Sequence, residues 1–321
     1  MQVENLCQVC QATFDRGDSF DAGFDPISVP IRHPDRTTVR RELKDGDDKI
    51  EPSVWDVKFD YFEYNMSFPK RGIFLIFDQE NFDYGLQQRV GSKLDRIVLE
   101  ETAIKLGFTP NVCHDYTKDD VYAELRKISQ MNHSQYDCFA CAILTHGEED
   151  EMVYAKDDSM KLKTLISRVS ATECPSLAGK PKLFFVQACR GKEISQPAIC
   201  TTACLKRQQV QSDSIPDVDS EETPKIPAEA DILVAYSTQP GQVSVRNEYT
   251  GSVFVQTMCA ALKQRGGELE LVQLLTRVNR NIALTFETNM CSPKFDKKKQ
   301  MPSIVSQLTA ELYFRPKDTV S

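Results

Sequence analysis

Two side chains stand where this sequence can place chemistry. Cys189 follows the apolar run KLFFVQ (Lys182–Gln187) and precedes Arg190 and Gly191; His146, followed by Gly147, comes just after the run CFACAIL (Cys138–Leu144). A thiolate, not a thiol, is the nucleophile, and an imidazole within reach can take its proton and later protonate a leaving amine. Such a pair suits amide hydrolysis. Taken singly, each residue has a plainer reading: a cysteine at a strand end is a small buried hydrophobe, and a solitary histidine satisfies a local hydrogen bond. The chemistry needs a scaffold that brings two strand ends to one edge.

That scaffold is readable from Gly72 onward. GIFLIF (Gly72–Phe77) reads as a buried strand, and Leu94, Ile97, Val98 and Ile104 mark a helical face that Gly107 can end. TKDD (Thr117–Asp120) is a capping box ahead of Val121, Leu125 and Ile128. CFACAIL is the next strand, a helix is predicted near Leu162–Val169, and KLFFVQ follows. Near-continuous apolar strands alternating with helices predict an α/β fold, a parallel sheet covered by helices on both faces. Ligands in such sheets sit beyond the carboxyl ends of the strands, which is where His146 and Cys189 fall.

Between Gly191 and Asp231 the alternation stops. The middle of that interval, SDSIPDVDSEETP (Ser212–Pro224), is acidic, serine-bearing and proline-bounded, and reads as a solvated loop open to proteolysis. DILVAY (Asp231–Tyr236) is a further strand. Two helices with heptad-like spacing follow, carrying Val255, Met258, Cys259 and Leu262, then Leu271, Leu274, Leu275 and Val278, separated by Gly266-Gly267. SIVSQLTAELYF (Ser303–Phe314) is predicted as a closing strand. Residues 1–65 are polar, rich in Asp and Arg and without sustained period, hence a flexible leader.

Composition excludes several classes. The chain has 321 residues, 40% of them hydrophobic, enough for a sizeable core. Its net charge of -8 is modest and its Lys and Arg are dispersed, so neither a nucleic-acid footprint nor an anionic membrane surface is indicated. Eleven cysteines in a chain this long, without a secretory signal, fit a reducing, cytoplasmic setting. The longest apolar runs are too short to span a bilayer. CQVC (Cys7–Cys10) has metal-ligand spacing but lacks a second pair at a matching distance, so ordinary thiols are the plainer reading; no metal and no cofactor are expected.

QACRG (Gln187–Gly191) resembles the signature of the caspases, with His146 placed 43 residues before Cys189 against roughly 50 in the family pattern. LTHGE, GKPKLFFVQACRG, PAEADILVAYST, LLTRVNR and LTAELYF are similar to segments of short-leader executioner caspases, over about Arg71 to Phe314. The resemblance implies a mostly parallel six-stranded sheet and a cysteine endopeptidase that cuts protein substrates after aspartate. It implies Cys189 and His146 as catalytic residues, backbone amides of Gly147 and Cys189 as the oxyanion hole, and a backbone carbonyl near Gln87 orienting the histidine. Arg89, Gln187 and Arg246 would bind the substrate aspartate, since a buried carboxylate needs compensating cations and donors and arginine's planar fork supplies two parallel hydrogen bonds. Arg190 is expected to fix the local loop.

One segment departs from the family pattern. Executioner relatives carry YYSWRN and GSWF, where this chain reads QVSVRN (Gln242–Asn247) and GSVF (Gly251–Phe254). Ser244 and Asn247 remain as polar substrate contacts, but Val243, Val245 and Val253 replace rings that wall the more distant subsites, each ring contact being worth about 1 kcal/mol. Preference for aspartate at the cut is expected to survive while preference three residues upstream is relaxed or altered.

The resemblance also implies a zymogen with residues 66–213 as the large-subunit region, 192–230 as a cleavable linker and 220–321 as the small-subunit region, the subunit pairs dimerising across the final strand. Asp213 and Asp219 in the linker and Asp21 in the leader are the expected cleavage positions, an upstream caspase the expected activator. New amino termini at Ala22 or Ser214 only faintly resemble motifs read by inhibitor-of-apoptosis proteins. An initiator role is disfavoured by the short leader, and a catalytically silent decoy by the full set of catalytic residues.

Overall fold

The central sheet forms where the apolar runs are. The computed structural model describes residues 62–198, 227–289 and 295–317 and the backbone of Gln11–Ala12. The strands of the central sheet are β1 (Ile73–Asp78), β2 (Thr109–His114), β3 (Phe139–Leu144), β4 (Lys182–Gln187), β5 (Ile232–Tyr236) and β6 (Ser303–Ser306), in the spatial order β6-β5-β4-β3-β1-β2. All neighbours run parallel except β6, which pairs antiparallel with β5. The expected mostly parallel six-stranded α/β sheet is therefore present.

Helices cover both faces because successive strand residues point to opposite sides. On one side Phe74, Ile76, Ala140, Leu183 and Phe185 pack with buried residues of α1 (Ser92–Lys105), α4 (Val253–Arg265) and α5 (Leu271–Thr285). On the other, Leu75, Phe77, Phe139, Cys141 and Phe184 meet α2 (Lys118–Ser129) and α3 (Leu162–Ser167). The capping box of α2 is present: the Thr117 side chain accepts from Asp120 N–H, and the Asp120 carboxylate accepts from Thr117 N–H. The predicted apolar faces of α4 and α5 are buried.

Four expectations need correction. In α1, Ile97 and Ile104 are exposed, at 41% and 64%, while Ser92, Asp95, Leu99, Thr102 and Ala103 face inward. The helix is rotated by its polar anchors: Asp95 accepts from Ser252 N–H, Ser252 Oγ and Gln256 Nε2. β2 was not anticipated, for it is a half-exposed edge strand containing Pro110, which edge positions tolerate. The closing strand stops at Ser306, since Thr309 and Tyr64 turn the chain by donating to Asp231 Oδ1; Leu312 and Phe314 then join the core. Finally, residues 62–65 belong to the folded body, where Glu63 bridges Glu311 and pairs with Arg315, and Gln11–Ala12 forms a parallel pair with Arg246–Asn247 within the expected flexible leader. Cys7, Cys10, Asp21, Asp213 and Asp219 lie outside the described residues.

Candidate active site

β3 and β4 are hydrogen-bonded neighbours in the register Leu144 to Gln187, and Thr145 N–H donates to Gln187 O at 3.1 Å. His146 and Cys189 each stand two residues beyond the end of their strand, at the same sheet edge. His146 is 8% exposed, and its Nε2 lies 2.8 Å from the carbonyl oxygen of Gln87, the group implied by the family resemblance. With the ring proton on Nε2, Nδ1 carries the lone pair a general base needs. The Phe82 ring packs on the imidazole at 4.9 Å between centroids.

Cys189 is partly exposed, and its sulfur accepts from Ser244 N–H at 3.4 Å. Gly147 approaches it so closely that a Cβ on that residue would lie 2.2 Å from the Cys189 carbonyl oxygen. Only glycine fits there. Arg190 is held in its loop: its N–H donates to Gln242 O, Nη2 meets Glu151 at 3.0 Å, and the guanidinium lies 3.8 Å over the Tyr236 ring.

Beside the sulfur lies a second group of polar side chains. Gln187 is buried and its Nε2 donates to Ser244 Oγ at 2.8 Å, so Ser244 links the nucleophile to Gln187. Arg246 is 4% exposed and its Nε donates to the carbonyl of Val90 at 3.0 Å, next to the fully buried Arg89. Gly91 makes that approach possible: its φ is +86°, and a Cβ there would sit 2.9 Å from Asn247 O. The strand segment around Arg246 thus lies directly against the Arg89 loop. Two buried carboxylates temper the positive charge, Asp78 at 3.9 Å from Arg89 Nη1 and Asp95, whose carboxyl is pushed up by burial against the opposing pull of Ser252, Gln256 and Arg89.

Residues 71–313 match the caspase domain family. The chain belongs to the caspases. It is 42% identical over 260 residues to caspase-7 of Gallus gallus, covering 79% of this chain and 80% of that protein. It is 40% identical over 253 residues to caspase-3 of Xenopus laevis, covering 78% of this chain and 83% of that protein. The crystal structure of caspase-1 from Spodoptera frugiperda superposes with a TM-score of 0.72 at 36% identity, covering 81% of this chain and 98% of that one. Caspases are cysteine-type peptidases acting on protein substrates, and this chain is one of them. Among the described residues no helix is long and apolar enough to cross a membrane.

The remaining predicted site residues fall differently. Val245 belongs to the hydrophobic core and Val243 is 7% exposed, so neither side chain stands open as a pocket wall in this state. Asn247 is buried, and its Oδ1 caps a turn by accepting from the backbone N–H groups of Tyr249 and Thr250. Three contributors went unread in the sequence. Gln300 holds the segment beside Cys189 by accepting from Val245 N–H and donating to Ser237 O, each at 2.8 Å. Asp78 and Ser92 surround Arg89.

Proposed function

We propose that this caspase is an endopeptidase that cleaves proteins after aspartate. The reading is carried by the burial of Arg89, Gln187 and Arg246 beside the strand end that bears Cys189. The Cys189 thiolate attacks the scissile carbonyl, the N–H groups of Gly147 and Cys189 receive the oxyanion, and His146 protonates the departing amine. Water then loses a proton to His146, attacks the thioester and releases the carboxylic acid, returning the thiol. The substrate aspartate carboxylate accepts hydrogen bonds from the arginines. An amide in its place leaves buried donors unpaired, so discrimination on the order of 10⁴ is expected.

The test is the kcat/KM of matched peptides ending in Asp, Asn or Glu before the scissile bond. Comparable rates for Asp and Asn would remove the arginine pocket from the account. A library varied three residues upstream tests the effect of Val243, Val245 and Val253; ordinary Asp-x-x-Asp selectivity would defeat the expectation of altered subsites.

Likeness to caspase-3 and caspase-7 supports an executioner role in apoptosis, with a zymogen of the stated regions cut at Asp213 or Asp219 and trimmed at Asp21 by an upstream caspase. The edge position of β6 and the 42% exposure of Val305 support pairing of two copies across that strand. Mass spectrometry of the active protein locates the new ends. Full activity from an intact chain would defeat the activation scheme.

A further inference from the structure

Arg89 is held by a two-step relay that ends on a buried carboxylate. β1 terminates at Asp78, level with Leu144 on β3 and hence with the strand end that carries Gln187. Asp78 is fully buried, and its Oδ1 accepts from the Ser92 hydroxyl. Ser92 Oγ in turn accepts from Arg89 Nη1 at 2.8 Å, while the Gln79 carbonyl accepts from the same nitrogen at 2.9 Å. A serine hydroxyl has one proton and two lone pairs. Because Asp78 takes the proton, Ser92 must present a lone pair to the arginine.

The charge is apportioned as well. Asp78 Oδ2 faces His114 Nδ1 at 3.2 Å and Arg96 Nη1 at 3.5 Å, whereas Arg89 Nη1 stays 3.9 Å from Oδ1. Arg96 and His114 engage the outer oxygen, so the carboxylate fixes Ser92 without drawing Arg89 into a close ion pair. Fixing one nitrogen of a planar fork fixes the plane of the others.

We infer that Asp78 and Ser92 are positioning residues for substrate recognition, holding Arg89 in the orientation that receives the aspartate carboxylate. The inference rests on the pocket assignment made above for Arg89. The test compares Ser92→Ala, Ser92→Thr, Asp78→Asn and Arg89→Ala in the fully processed enzyme, using Asp- and Glu-terminated peptides.

A lost hydrogen bond to a charged group predicts a KM for the Asp peptide about tenfold higher in Ser92→Ala, with kcat within about twofold. The Asp-over-Glu preference should fall by a similar factor. Ser92→Thr, which restores the hydroxyl, should recover both values, and Asp78→Asn should lie between. Should Asp78→Asn fail to fold, the serine pair decides. The relay is overturned if Ser92→Ala keeps the parental KM and preference while Arg89→Ala abolishes cleavage, or if its loss appears in kcat alone. Parental cleavage by Arg89→Ala would overturn the pocket assignment itself, and the relay with it.

Discussion

Gly147→Ala tests the closest contact in the site. The added Cβ would sit 2.2 Å from the Cys189 carbonyl oxygen and 3.1 Å from both the Ala188 Cβ and the Met152 carbonyl oxygen. Two of these three atoms belong to the backbone, so the clash is not relieved by moving the end of a flexible side chain. Restoring an ordinary contact to the Cys189 oxygen requires separating the two backbones by about 1 Å, and a displacement of that size in a catalytic constellation costs about 10²-fold in rate. The same displacement moves the amide assigned to the oxyanion hole, whose loss costs about 10² to 10³ in kcat, or roughly 3 to 4 kcal/mol of barrier. The two estimates describe one movement and are not added. Overpacking also destabilises by about 1 to 3 kcal/mol, so thermal unfolding must be followed alongside initial rates on an Asp-terminated peptide. The expected outcome is a folded variant with kcat reduced at least about 10²-fold. A folded Gly147→Ala enzyme with kcat within threefold of the parent would show that neither the approach nor the oxyanion role is as described.

Two stability predictions are independent of the chemistry. Lys182, buried at the start of β4, has its ammonium pKa lowered from the ordinary 10.5 to about 8, chiefly by burial and against the pull of Asp231. The unfolded chain therefore binds more protons than the folded one between pH 8 and 10.5, and the burial penalty, full below pH 8, is relieved as pH rises, a change of about 3 kcal/mol. Urea titrations should find the stability of Lys182→Met relative to the parent falling by about that amount across the window; the lost bonds to Leu177 O and Lys180 O set a constant offset. A pH-independent difference would contradict the burial argument. Thr117→Ala removes the cap of α2 and should cost about 1 kcal/mol, lowering the melting temperature by about 2 to 4 °C. No change in melting would mean that α2 does not depend on that cap.

What could be read from the sequence was what local pattern determines. KLFFVQ and CFACAIL have the length and apolar continuity of strands buried on both faces, so the rule that ligands gather at carboxyl strand ends placed Cys189 and His146 together before any coordinates. The same rule applied to GIFLIF points to Asp78, the charged residue that ends β1. The inward face of α1 was misread because apolar periodicity assumes that the core is apolar, whereas this helix turns Ser92 and Asp95 inward to partners as far along the chain as Ser252 and Gln256. The core position of Val245 and the burial of Val243 were hidden for a related reason. The segment is too short for a period to be read, and only the fold decides which side of it meets the core.

The distribution of these long-range contacts decides what a cut between residues 198 and 227 would separate. β4 and β5 flank the interval that contains Asp213 and Asp219, yet they pair with each other through five registered positions, Lys182 with Ile232 to Val186 with Tyr236. Across the same divide Gln187 bonds Ser244, Arg190 bonds Gln242, and Asp95 bonds Ser252 and Gln256. Breaking one peptide bond between residues 198 and 227 removes none of these interactions. The two pieces would stay joined by a shared sheet and a shared pocket. Arg89 and Gln187 come from the first piece and Arg246 from the second, so the aspartate pocket proposed above needs both pieces. A cut there leaves the sheet whole and, on the proposed pocket, keeps Arg89 and Arg246 together.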